Sequence, residues 1–483
     1  MKDKLIQQLK EWHVLDEHQS IVDAVLAIPE AERDYELNGL LGRAYNNLDM
    51  YTEALTVLLP LREQGEADPI WNYRVGYSYY YLDKEEMARE YFVRASELDP
   101  EDEDAREFIE WCDEIIEQSS AAFTFIERTD KFWKWFARNE EKLSDMVENN
   151  SEYDADEIVE FVSRGTNIIS EDIHFNIGGD HELTFAVENH EHLFYVLPWL
   201  ASRLPAQFCG KWKIHPYMQS TGGKSFGFGM HNARIDTADI QVSAKYNENA
   251  NNFDIRFYEK NLCDLKENEC YSAFGIILKI TIGEGLTRIY INSDEKAEEF
   301  EDDMIPLVEL ENHMIDVIKT AGREIMSRPD ERYSVYKLTP EEGPLRYDVI
   351  SGASCFTRLI AEYYRGEDET VNALAALGAQ AMFISYPAGQ EGLPLRHEIE
   401  DRLESEILGV RGSGSEIGIL LGGAAGNENM YIDLLLYDKL AFEMKARDLL
   451  AKYEKTFLLC SFRPNGSKLK MTESRQTEDN NET

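Results

Sequence analysis

The spacing of apolar positions changes character along this chain. Residues 1–118 read as a series of amphipathic helices. The stretch FTFIERTDKFWKWFARNEEKLSDMVENN continues with another helix, whose aromatic group Phe132, Trp133, Trp135 and Phe136 is expected in a core. The period then falls to two. HELTFAVEN turns Leu183, Phe185 and Val187 to one side, as a half-buried strand does. HLFYVLPWLASRL predicts a helix started or kinked near Pro198, and WKIHPYMQ a strand. DIQVSAKYNENANNFDIRFYEK predicts a hairpin with an Asn-rich turn. SAFGIILKITIGEGLTRIYIN predicts a strand pair, and VELENHMIDVIKTAGREIM a helix.

A second mixed unit is expected to begin at Pro329. RYSVYKL and AMFISYP predict strands. Helices are expected in SCFTRLIAEYYRG, closed by Gly366, and in TVNALAALGA, closed by Gly378. RHEIEDRLESEILG predicts a third helix. EIGILLGGAAGNENMYIDLLLYD predicts a hairpin, FEMKARDLLAKYEK a helix and TFLLCSF the last strand. The predicted architecture is multidomain. It has an all-α region (residues 1–118) and two α+β domains (119–328 and 329–463), each an antiparallel sheet with helices, the first of ferredoxin-like type and the second with its helices on one side. Residues 464–483 are polar without apolar period and predict a disordered tail.

The N-terminal region is self-similar. Gly42 and Gly76, Tyr45 and Tyr79, and Ala54 and Ala88 each stand 34 residues apart; Leu58 matches Phe92, Leu61 matches Ala95, and Pro100 closes the second copy. WNYRVGYSYYYLDKEEMAREYFVRASELDP in particular resembles the tetratricopeptide repeat family. The resemblance is clearest over residues 35–102, with residues 1–34 a degenerate first copy and 103–118 a closing helix. It implies stacked helix pairs whose small residues allow close approach and whose large residues fill the gap to the neighbour. It also implies that a partner segment lies along the first helix of each repeat, touching Arg43, Asn46 and Asn47 in one copy and Tyr73, Tyr77, Tyr80 and Tyr81 in the other. The competing expectation is that the tyrosines pack on the next helix or on the protein's own following domain. The fuller Lys, Arg and Asn set of the family's carboxylate-binding members is not present.

Acidic residues number 92 against 49 basic ones, a net charge of −43. That surface repels phosphate backbones and, with no basic patch, excludes nucleic acid as the expected partner. No run of about 18 apolar residues is present to span a membrane. The charged, amphipathic N-terminus does not read as a signal peptide, so a cytoplasmic location is expected. The six cysteines form no CxxC pair and predict buried thiols.

Few residues look chemically active. His174, His181, His190, His192, His215 and His231 cluster in sequence, but His181-Glu182 lacks the second histidine of HExxH, and the segment holding His190 and His192 reads as a turn entering a helix. STGGKSFGFG lacks the first glycine of a phosphate loop, having Met218 there, and is not followed by a helix. Gly422, Gly423 and Gly426 lie inside a hairpin rather than at a nucleotide. Cys355 stands near a helix start, where a thiolate would be favoured, but Phe356 replaces the last glycine of G-x-S-x-G, and His397 is the one histidine in that stretch. The reading is therefore a non-enzymatic adaptor or regulatory protein that binds a protein or peptide segment, with no catalytic residue, metal or cofactor expected. Its rivals are a metal- or Cys-dependent hydrolase in residues 119–463 and a toxin-neutralising protein.

Overall fold

A computed structural model describes residues 2–82, 84–120, 123–230 and 233–472. The chain divides into two compact units, Met1–Ala122 and Phe123–Thr483.

The first unit is helical: α1 (Lys2–Val14), α2 (His18–Leu26), α3 (Tyr35–Asn47), α4 (Tyr51–Leu58), α5 (Arg62–Gly65), α6 (Pro69–Tyr80), α7 (Glu85–Leu98) and α8 (Glu103–Ser120). The starts of α3, α6 and α8 are 34 residues apart, as are those of α4 and α7. The cause is a capping residue that recurs with the same period. The side chain of Asp34 accepts from the Leu37 amide, that of Asp68 from Ile70, and that of Asp102 from Ala105. Each satisfies an amide that has no partner inside its helix. Neighbouring helices pack on one another, with α4 against α6 across the short α5, and α3 also touches α1 and α6. Gly42 lets α3 close on α4, because a Cβ there would fall 2.5 Å from the Leu58 Cγ. Trp71 fills the space beside Gly65 and donates its indole N–H to the Leu58 carbonyl at 2.9 Å. Ala27, in register with Leu61 and Ala95, is exposed at the end of α2, whereas Ala95 is buried.

The second unit opens with α9 (Phe125–Glu148), started by a Thr124/Glu127 capping box, and α10 (Ala155–Thr166). A small sheet follows, β1 (His174–Gly178), β2 (Glu182–Ala186) and β3 (Lys213–His215). β1 pairs antiparallel with β2, and β2 pairs parallel with β3. Between β2 and β3 lies α11 (Leu197–Ser202), with Pro198 in its first turn. β4 (Gly227–Met230) and β5 (Ala233–Asp236) pair antiparallel ahead of a four-stranded sheet. Its strands β6 (Gln241–Asn247), β7 (Asn252–Tyr258), β8 (Ile291–Lys296) and β9 (Ile305–Pro306) lie in the order β8-β7-β6-β9. The β7–β8 pair is parallel, which departs from an all-antiparallel ferredoxin-like sheet.

The helices here are α12 (Lys260–Cys263), α13 (Glu267–Ile282), α14 (Glu284–Tyr290) and α15 (Leu310–Thr320). The strand pair expected in SAFGIILKITIGEGLTRIYIN is instead mostly α13 and α14, and only its last two residues, Ile291 and Asn292, enter β8. Cys270, Ala273, Phe274, Ile277, Leu278, Thr281 and Ile282 are the buried positions of α13, a 3.6-residue stripe hidden within an apolar run.

The remaining strands form a seven-stranded antiparallel sheet, order β10-β11-β13-β14-β12-β15-β16, from β10 (Ser334–Lys337), β11 (Val349–Ser354), β12 (Gln380–Pro387), β13 (Gly418–Gly426), β14 (Asn429–Leu436), β15 (Leu458–Ser461) and β16 (Lys468–Lys470). Its helices are α16 (Thr357–Arg365), α17 (Glu369–Ala376), α18 (Gly392–Arg402) and α19 (Lys439–Leu450). Gly366 ends α16 in the left-handed conformation, φ 69°.

This sheet is covered on both faces, not one. On β12, Ala381 and Phe383 join one core while Met382 and Ile384 join another, as the two-residue period requires. The second core is completed by Ile399 of α18 and Phe442 of α19. The first is shared with Phe125, Phe132, Phe185 and Leu193, so residues 125–217 and 349–462 pack as one body, and the expected division at residue 328 does not mark a break in packing. A separate core gathers Phe253, Phe274 and Met314. The tail expected from residue 464 is ordered at first: β16 pairs with β15, and Met471 is buried. Residues 473–483 and His231 lie outside the described residues. No helix among the described residues is long and apolar enough to cross a membrane.

Candidate functional site

The seven positions expected to meet a partner fall into two groups. Asn46 is 4% exposed and ties helices together: its amide donates to the Arg74 carbonyl at 2.9 Å, and its oxygen accepts from Ser78 Oγ at 2.7 Å. Tyr73, Tyr77 and Tyr80 are half-buried, and all three rings contact Phe108 of α8. For the three tyrosines packing on α8 is the observed arrangement. Burial, then neighbouring acids and tyrosines, raises the Tyr73 phenol; burial, then Tyr81, pushes the Tyr77 phenol up to about 12, so both stay neutral.

Of the other three, Arg43 is half-buried and Asn47 and Tyr81 are exposed. Asn47 is exposed, and its Nδ2 stands 3.4 Å from Nδ1 of His13, one period back. Tyr81, one period forward, is 44% exposed and stacks on Tyr51 at 5.0 Å between ring centroids. Arg43 has Nε and Nη2 buried with no acceptor. Its guanidinium is pulled below its usual pKa by desolvation. The Arg74 guanidinium is pulled to about 10, by burial first and then by Arg43, and donates to the Gly39 carbonyl at 3.0 Å. His13 is lowered by burial, then by Arg43 and His18. Two guanidinium groups and an imidazole are thus close enough to depress one another's protonation within a chain of net charge −43. Arg74 and His13 were not anticipated. The 34-residue register that relates His13 to Asn47 and Tyr81 was the signal that could have found His13.

In the second unit the Cys355 thiol is 4% exposed, and burial pushes its pKa up to about 12, opposite to what a nucleophile needs. Its backbone is also committed, the N–H to the Leu421 carbonyl and the carbonyl to the Tyr195 hydroxyl. His397 lies on α18 beside Arg396, at 3.2 Å. STGGKSFGFG is a turn with Gly222 and Gly223 at positive φ, leading into β4 rather than a helix.

The histidines separate. His181 pairs with Glu148 at 3.1 Å and packs on Trp212; His215 lies on β3. His190 and His192 meet at the other end of the β1–β2 hairpin, and Asp172 joins them. The register explains why. His174, the first residue of β1, pairs with Ala186, the last of β2, so the residues before β1 and those after β2 share one end. Ligand atoms of Asp172, His190 and His192 all lie within 4.8 Å of one another. His192 is 8% exposed, and its Nε2 is buried without a partner. Burial, then His190, pushes its pKa down to about 4, which keeps the imidazole neutral at neutral pH. The connecting segment is held by Glu284, whose buried carboxylate accepts from the amides of Val187, Glu188 and Met218.

Comparison with known proteins returns no matching family model, no matching curated protein and no matching solved structure.

Proposed function

We propose that residues 1–118 form a tetratricopeptide-type array that binds an extended segment of another protein, in a non-enzymatic adaptor role within the cytoplasm. The contact face centres on Arg43, Asn47 and Tyr81. The observation that carries the reading is the Arg43 guanidinium, two of whose nitrogens are buried without an acceptor beside Arg74 and His13. An unsatisfied buried donor costs about 1–3 kcal/mol, which a ligand carboxylate would recover. Tyr81 and Tyr51, stacked on each other, offer a stiff amphipathic surface. This local charge favours an acidic segment over a basic toxin. Asn46, Tyr73, Tyr77 and Tyr80 are committed to packing between helices and are left out of the contact set.

The test is affinity capture with the full chain, comparing wild type with Asn47→Ala/Tyr81→Ala. Tyr77 is spared because its ring packs on Phe108. The variant should keep its helical circular-dichroism signal and lose its stoichiometric partner. A partner set identical to that of wild type refutes the assignment.

A further inference from the structure

Two imidazoles and one carboxylate converge at the end of the β1–β2 hairpin, outside the helical unit. We propose that Asp172, His190 and His192 bind one divalent transition-metal ion of the zinc type. Three observations support the site independently of the peptide-binding reading. The ligand atoms lie within 4.8 Å of one another, so side-chain adjustment can bring all three to one ion at roughly the 2.0–2.2 Å typical of zinc–nitrogen and zinc–oxygen bonds. The His192 Nε2 is buried without a partner on a side chain 8% exposed, and most buried polar atoms are satisfied. The backbone around the ligands is fixed: the His190 amide donates to the Val187 carbonyl at 2.9 Å, the Leu193 amide to the His190 carbonyl at 2.9 Å, and Glu284 clamps residues 187 and 188.

The donor set selects the ion. Two imidazole nitrogens and one carboxylate suit zinc, cobalt, nickel or ferrous iron, whereas magnesium and calcium prefer all-oxygen ligands. Asp172 is exposed and His190 half-buried, so the site opens to solvent on their side. Three protein ligands leave a fourth position of a tetrahedral ion for water or an incoming ligand, the pattern of exchangeable rather than closed structural sites.

The experiment is metal titration of the full chain after dialysis against a chelator, by calorimetry with Zn2+ and by visible absorption with Co2+. Asp172→Asn and His190→Gln are compared with wild type. Both altered residues have solvent access, so neither variant need disturb the core, and circular dichroism checks this. Wild type should bind one equivalent of Zn2+ and give the intense visible bands of tetrahedral cobalt. Each variant should bind at least tenfold more weakly. Absence of stoichiometric binding by wild type overturns the proposal. So does binding that both folded variants retain at full strength, which would be the general attraction of a chain of charge −43 for cations.

Discussion

Replacing Gly42 with alanine sets two effects against each other. In a helix interior, alanine is favoured over glycine by about 1 kcal/mol. Against this, the new Cβ would stand 2.5 Å from Leu58 Cγ, 2.6 Å from Cδ2 and 3.0 Å from Cδ1. Leu58 is fully buried, and its Cγ is a branch point close to the backbone, so it cannot swing clear. Overpacking costs about 1–3 kcal/mol, and contacts this short on a branch point place it in the upper part of that range, so after the helix gain of about 1 kcal/mol α3–α4 packing should weaken by about 1–2 kcal/mol. At Gly76 the nearest atoms are Phe92 Cδ1 and Cε1 at 3.1 Å and the Ala88 carbonyl at 3.2 Å, and Gly76→Ala should stay within about 1 kcal/mol of wild type. Leu58→Ala alone should cost about 2–5 kcal/mol. Combined with Gly42→Ala it should cost less than the sum, because the added methyl enters the vacated space. Hydrogen exchange of α3 and α4 amides in the full chain reads these differences locally, which suits a chain of two units. A Gly42→Ala chain protected as well as wild type, or Gly76→Ala costing more than Gly42→Ala, would refute the close approach.

The Glu400 carboxyl is raised from 4.5 to about 7 by burial, opposed by Arg396 and reinforced by Asp433; its Oε1 stands 3.0 Å from Arg396 Nε without the alignment of a hydrogen bond. The folded state therefore holds this proton more tightly, and a contribution on the order of 3 kcal/mol, present below pH 4.5, is lost as pH rises through 7. Glu400→Gln should flatten the denaturation-midpoint profile over that window, and an unchanged slope contradicts the assignment. Arg346 and Asp433 form a buried bidentate pair with the Phe462 and Phe383 rings 4.8 and 5.2 Å from the guanidinium. Arg346→Met should cost about 3–5 kcal/mol in chemical denaturation, and Arg346→Met with Asp433→Leu should recover most of it; equal losses in both would show that the pair's charge balance is not what matters.

Much of the element order was legible because local signals agreed. Proline and glycine boundaries marked α11, α16 and α17, and strict alternation marked β2. The helical period of the first unit had a second signature in Asp34, Asp68 and Asp102, whose caps set the helix starts. The strand reading of α13 failed because Ile, Leu and Thr fill an almost continuously apolar run, and only tertiary burial reveals its stripe. The second unit's packing was hidden for a related reason: a sheet buried on both faces looks uniformly apolar, and nothing local says that one face of β12 shares its core with residues of α9.

Site residues divided by what they touch at long range. Asn46 looks like a contact residue in the helical register, yet its partners lie 28 and 32 residues away. Asp172 is 18 residues from His190 in sequence, and only the β1–β2 register brings it to the imidazoles.

The central claim, that the face holding Arg43, Asn47 and Tyr81 receives a partner segment, is tested most directly by a photo-reactive residue at position 81 in the full chain, with one at the exposed Glu97 of α7 as reference. The account predicts a specific adduct from position 81, none from position 97, and loss of the first when Arg43→Met is added. No adduct from position 81, or the same adducts from both positions, would contradict it.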